Sequence, residues 1–132
     1  MIVVDASVLA NALADDTADG RLARQRLTSG GELVAPDLVD VATVSVLRRR
    51  WLAGDVTARR FSAAIEDLEN LSLTRFPTLP LMRRAYELRA NVTAYDAAYV
   101  ALAEQLDCTL VTADARLTKA PGVKCLVDLV ST

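Results

Sequence analysis

A chain of 132 residues, 52% of them hydrophobic, is long enough to bury one continuous core, so a single domain spanning residues 1–132 is expected. No stretch of about 20 uninterrupted apolar residues occurs, and Met1-Ile2-Val3-Val4-Asp5 carries no basic leader, so a cytoplasmic protein without membrane contact is expected. With no histidine, and with Cys108 and Cys125 as the only cysteines, a zinc cluster and a Cys/His nucleophile pair are excluded; any base or ligand must be a carboxylate. The two cysteines read as small buried hydrophobes of a reducing compartment. Net charge is −2, yet 13 of the 15 cations are arginine, clustered at Arg48-Arg49-Arg50, Arg59-Arg60 and Arg83-Arg84. Each cluster reads equally as a grip for phosphates or as a solvated helix face paired with nearby acids.

In chain order, the β-branched run Ile2 to Asp5 predicts a strand, and Val8 to Leu13 a helix with Ser7 as its cap. Asp15-Asp16 and Gly20 interrupt it, Arg21 to Leu27 predicts a second helix, and Ser29-Gly30-Gly31 ends that. Leu33-Val34-Ala35 predicts the second strand. Pro36-Asp37 then opens a helix whose apolar positions Leu38, Val41, Ala42, Val46 and Leu47 run to about Leu52, where Gly54 stops it. Thr57 caps a further helix carrying Phe61, Ala64, Ile65 and Leu68, and Leu71 to Phe76, before Pro77, alternates as a third, edge strand. Leu81 to Ala90 and the strongly apolar Tyr95 to Ala103 predict two more helices, Thr109 to Thr112 a strand, Asp114 to Leu117 a helical turn and Lys124 to Leu129 a closing strand. Alternating helices with strands apolar on both faces define an α/β fold, a parallel sheet covered by helices on both sides.

In such a sheet, sites form beyond the carboxyl ends of the strands where strand order reverses. Asp5 ends the first strand, Asp114 follows the fourth by two residues, and Asp96 begins the long apolar helix that leads into it. Each also suits a helix start, where a carboxylate satisfies free amides. Three acids at one end of one sheet would repel one another unless protons or a cation intervened, and an oxygen-only site suits Mg2+ or Mn2+. Such an ion activates water and stabilises charge on a phosphoryl oxygen, so phosphodiester hydrolysis needs no histidine. Ser7 and Thr112, two residues from Asp5 and Asp114, can hold carboxylates or water, or simply close local turns.

The segments Ile2-Val3-Val4-Asp5-Ala6-Ser7-Val8-Leu9, Ala35-Pro36-Asp37-Leu38, Tyr95-Asp96-Ala97-Ala98-Tyr99-Val100-Ala101-Leu102-Ala103 and Leu110-Val111-Thr112-Ala113-Asp114 together resemble PIN domains of the VapC toxin type. The resemblance runs from Ile2 to about Leu129. It implies a three-layer α/β/α sandwich, cleavage of RNA dependent on Mg2+ or Mn2+, homodimerisation, and inhibition by a small cognate VapB-like antitoxin. Asp5, Asp96 and Asp114 match the family's acidic positions as catalytic and metal-binding residues. The family's further glutamate falls at position 42, where this chain has Ala42. Metal affinity and activity are therefore expected to be impaired. Asp40, roughly 200° around the helix, is no substitute, and Asp37 reads as a first-turn residue. Because the surrounding positions keep the family's pattern, a replacement made to silence a poisonous nuclease is the preferred origin of Ala42, with a naturally degenerate site as the alternative.

Two other functions compete. A non-catalytic module binding RNA or antitoxin draws support from Ala42, but three convergent acids would repel a phosphate backbone. A phosphatase with Asp5 as nucleophile lacks the second acid expected two residues later, where Ser7 stands. For partners, Val44, Leu47, Trp51, Phe61 and Ile65 read either as core or as a groove for an antitoxin helix, with Trp51 expected to be partly exposed.

Overall fold

The computed structural model describes residues 1–132. Ile2, Val3 and Val4 make β1 (Ile2–Val4), buried along its whole length. Two helices, α1 (Ala6–Ala14) and α2 (Ala18–Thr28), lead to β2 (Leu33–Pro36). Two more, α3 (Val39–Leu52) and α4 (Ala58–Asn70), lead to β3 (Thr74–Phe76). A 3-10 turn at Leu79–Leu81, the short α5 (Met82–Glu87) and α6 (Ala94–Leu106) precede β4 (Thr109–Thr112). A 3-10 turn at Ala115–Thr118 and β5 (Val127–Leu129) close the fold.

All five strands are parallel, in the order β3-β2-β1-β4-β5, with Val3 opposite Val34 on one side and Leu110 on the other. The chain builds outward from β1 to β3, then returns to lay β4 against the other side of β1. The reversal of strand order lies between β1 and β4. Helices α1 to α4 pack on one another, while α6 lies across β1, β2 and β4 with α5 against it, completing three α/β/α layers. Every residue of α6 from Ala97 to Ala103 is buried, which explains its lack of a polar face. Small alanines there let the helix approach the sheet closely. Fully buried Leu9, Leu47, Leu102 and Leu110 each contribute about 1.5–3 kcal/mol by leaving water.

Several predicted boundaries move, each for a local reason. The cap of α1 is Asp5 rather than Ser7: its side chain accepts from Val8 N at 3.1 Å. Helix α2 starts three residues early, at Ala18, because Asp15 accepts from Thr17 N and holds the turn that precedes it. Gly20 lies in the first turn of α2, where a Cβ would fall 1.7 Å from the Asp15 carbonyl oxygen. Helix α5 stops at Glu87, since the Leu88 carbonyl accepts from both Asn91 N and Val92 N in a turn toward α6. The closing strand starts at Val127, because Lys124 N is drawn instead to Glu104 on α6 at 2.8 Å. The third strand keeps its edge place but spans only Thr74–Phe76. Gly54 ends α3 with φ +84°, as its position suggests.

Helix α3 begins at Val39, so Asp37 precedes it and is not a first-turn residue; its carboxylate accepts from Thr78 N and Oγ1 at 3.2 and 2.6 Å. Leu47 is fully buried, and Val44 and Phe61 pack against the core, so these positions of the two middle helices serve the interior. Trp51 is 45% exposed, as anticipated, and Val41, expected to face the core, is 75% exposed.

Candidate active site

Three helices begin at the carboxyl edge of the sheet, and each brings a residue to one pocket. Asp5, at the turn from β1 into α1, is 3% exposed. Its Oδ1 accepts from Ser7 Oγ at 2.6 Å and from Val8 N, and its Oδ2 accepts from Thr112 Oγ1 at 2.5 Å. Burial pushes this carboxyl above its ordinary range, the three donors work against that rise, and nearby Asp96 adds to it. Ser7 and Thr112 also knit the strand ends together: Ser7 Oγ accepts from Ala113 N at 3.0 Å and Thr112 Oγ1 from Asp114 N at 3.0 Å. Both hydroxyls therefore orient the Asp5 carboxylate, while Ser7 also ties the start of α1 to the end of β4 and Thr112 closes the local turn to Asp114.

Asp96 stands in the first turn of α6, whose cap is Thr93. Its carboxyl is half-buried and raised, by desolvation first and by the charge of Asp114 second. Asp114, just past β4, behaves in the opposite sense. Arg116 grips it with Nη2 to Oδ2 at 2.6 Å and holds its carboxyl below the usual range. The Arg116 pairing was not anticipated; its signal, a cation two residues from the acid, is too common to single out in a sequence.

The pocket, about 580 Å³, is lined by Asp5, Ser7, Asp96 and Asp114, by Leu38 and by Val41, Ala42, Ser45, Val46 and Arg49 of α3, with Tyr95 and Tyr99 of α6. Position 42 thus faces the three acids, and its alanine methyl leaves the α3 wall without a carboxylate. Asp40 does not fill in, because Arg75 on β3 holds it through two bonds of 2.8 and 2.9 Å. The buried hydroxyl of Thr43 has no hydrogen-bond partner, and desolvation first, then the charge of Asp5, push the Tyr99 phenol above its ordinary range.

In kind, these donors fit a hard divalent cation: oxygen only, mutually repelling, at the seam where strand order reverses. In disposition they are incomplete. No three acidic or thiol side chains come together at ligating distance, since one wall offers alanine and Asp114 is turned toward Arg116.

The family model of the PIN domain matches residues 2–123. Ribonuclease VapC9 of Mycobacterium tuberculosis is 44% identical over 130 residues, 98% of each chain. Among solved structures, VapC20 of M. tuberculosis, a sarcin–ricin-loop-cleaving toxin, superposes with TM-score 0.69 at 18% identity over 87% of this chain and 91% of that one. VapBC2 of Rickettsia felis, bound to a promoter DNA fragment, gives 0.68 at 12% identity over 99% and 100%. The chain belongs to the PIN domain family, among its VapC-type toxins.

Proposed function

We propose that this protein is the endoribonuclease toxin of a toxin–antitoxin pair, hydrolysing RNA phosphodiester bonds with Mg2+ or Mn2+, and that Ala42 impairs it. The observation that carries this reading is the pocket that joins Asp5, Asp96 and Asp114 to position 42 at the β1–β4 seam. The VapC ribonucleases it resembles support the reaction class.

In this reading Asp5, Asp96 and Asp114 hold the cation, which when bound lowers the pKa of a water and stabilises charge on the phosphoryl oxygen. Ser7 and Thr112 fix both oxygens of Asp5 by donating to them. The raised carboxyls of Asp5 and Asp96 mark groups whose charge calls for a cation. Arg116 neutralises Asp114 meanwhile. A glutamate at position 42 would complete the α3 wall of the pocket.

The protein would act in the cytoplasm as one domain, as a homodimer held in check by a VapB-like antitoxin; the relation to VapBC2 supports the latter pairing. No helix is long and apolar enough to cross a membrane. A non-catalytic RNA- or antitoxin-binding module is the second reading, favoured by Ala42 in the pocket wall that faces the acids.

Cleavage of total bacterial RNA by the parent, by Ala42→Glu and by Ala42→Glu with Asp5→Asn, with manganese, magnesium or chelator, separates them. Cleavage by Ala42→Glu alone, abolished by chelator, is the expected result. Absence of cleavage by every folded form, with salt-dependent RNA binding retained, would establish the binding module instead.

A further inference from the structure

The pocket contains its acids but little that holds a polyanion. Three carboxylates line it against a single guanidinium, Arg49. Elsewhere, Arg60, Arg75, Arg84 and Arg116 are taken up by carboxylates and Arg50 by Asn11. Side-chain charge alone therefore gives a phosphodiester little hold at this site beyond Arg49 and a bound cation, and neither of these tells an unpaired strand from a duplex.

Tyr95 offers a contact that does. It immediately precedes Asp96 in the first turn of α6, lines the same pocket, and is 70% exposed while the four residues from Ala97 to Val100 are buried. An aromatic ring left in water at the mouth of an acidic pocket contributes nothing to the core. It presents a π-face beside the reacting groups, and exposed Val41 on α3 extends the apolar surface. Stacking on such a ring accepts any base, provided the base is unpaired and turned out of its helix.

We infer that Tyr95 determines substrate form by stacking on one unpaired nucleobase adjacent to the phosphodiester at Asp5, Asp96 and Asp114. This rests on the ribonuclease reading. It makes the preferred substrate a loop or single strand, selected by an aromatic contact more than by charge, so binding depends weakly on salt. Arg49 then meets a flanking phosphate.

The test is binding of a labelled single-stranded oligoribonucleotide, its duplex and a set of abasic versions, by anisotropy at fixed calcium, to the parent, Tyr95→Phe and Tyr95→Ala. Because the side chain is exposed and alanine favours helix, both variants should fold, which circular dichroism checks. Tyr95→Ala should bind the single strand about tenfold more weakly, and Tyr95→Phe within about twofold of the parent. One abasic position should weaken the parent and leave Tyr95→Ala unaffected.

Equal affinity of parent and Tyr95→Ala for a bound RNA, or an equal loss in Tyr95→Phe, would overturn the stacking role while leaving the nuclease reading intact. Equal affinity with weakened pairing to a protein partner would assign the ring to that partner. Failure of the parent to bind any RNA, joined to failure of Ala42→Glu to cleave, would remove the ribonuclease reading and this inference with it.

Discussion

Asp5 and Asp114 lie at the ends of neighbouring strands, on either side of one seam, yet they are built in opposite ways. Asp5 is closed off from water and held by three donors, one of them Val8 N, through which it caps α1. Asp114 is held by the side chain and backbone N of Arg116, whose side chain is 87% exposed. Burial raises the first carboxyl and the guanidinium lowers the second. The contrast separates a buried carboxylate held from three directions from a more accessible one, which caps only the short 3-10 turn through Arg116 N at 3.0 Å. The same charge loss at the two positions should therefore have different consequences for stability, although both line the same pocket.

The largest effect is expected from Asp5→Ala, which removes the cap and leaves the Ser7 and Thr112 hydroxyls without their acceptor, for a loss of about 2–4 kcal/mol in urea unfolding. Asp5→Asn keeps a capping oxygen and should lose much less. Its pH dependence sharpens the point. A raised folded pKa means that the parent's Asp5 contribution is present below 3.8 and is lost as pH rises through the folded value. In chelator, the stability of Asp5→Asn relative to the parent should improve from acid toward neutral pH; a constant difference would contradict the buried-charge account.

Thr112→Val comes next, at about 1–2 kcal/mol, since it withdraws a buried donor from Asp5 and an acceptor from Asp114 N. The smallest effect belongs to Asp114→Asn. Its folded pKa is lowered, so the Arg116 pair contributes above 3.8 and is lost as pH falls below it, but solvent screens that pair heavily. The unfolding midpoint at neutral pH should not move measurably, while RNA cleavage in an Ala42→Glu background should be lost. A clear midpoint shift would show that Asp114 too belongs to the fold.

What the sequence revealed follows the same division. Strands β1, β2 and β4 were legible because their residues are apolar on both faces, and Thr109–Thr112 was placed without error. The three acids were found from their positions after strands and at a helix start, and the fold brings all of them to one pocket. Partner choice was not legible. Thr112 meets Asp5 across 107 residues and Arg75 meets Asp40 across 35, distances over which no local pattern operates. Ser7 was misread as the cap because serine and aspartate compete for that task, and only the turn geometry gives it to Asp5. Val41 followed the helical repeat of its neighbours but lies at the pocket, so periodicity assigned it to the wrong environment.

The hydrogen bond from Thr112 to Asp5 also sets a schedule for synthesis. A ribosome adds about 5–20 residues per second, so several seconds separate the appearance of Asp5 from that of the strand that completes its surroundings. Until β4 docks, Asp5 has neither its buried donor nor Asp114 nearby, so the nascent chain passes the RNA of the machine that makes it with the proposed site still unassembled.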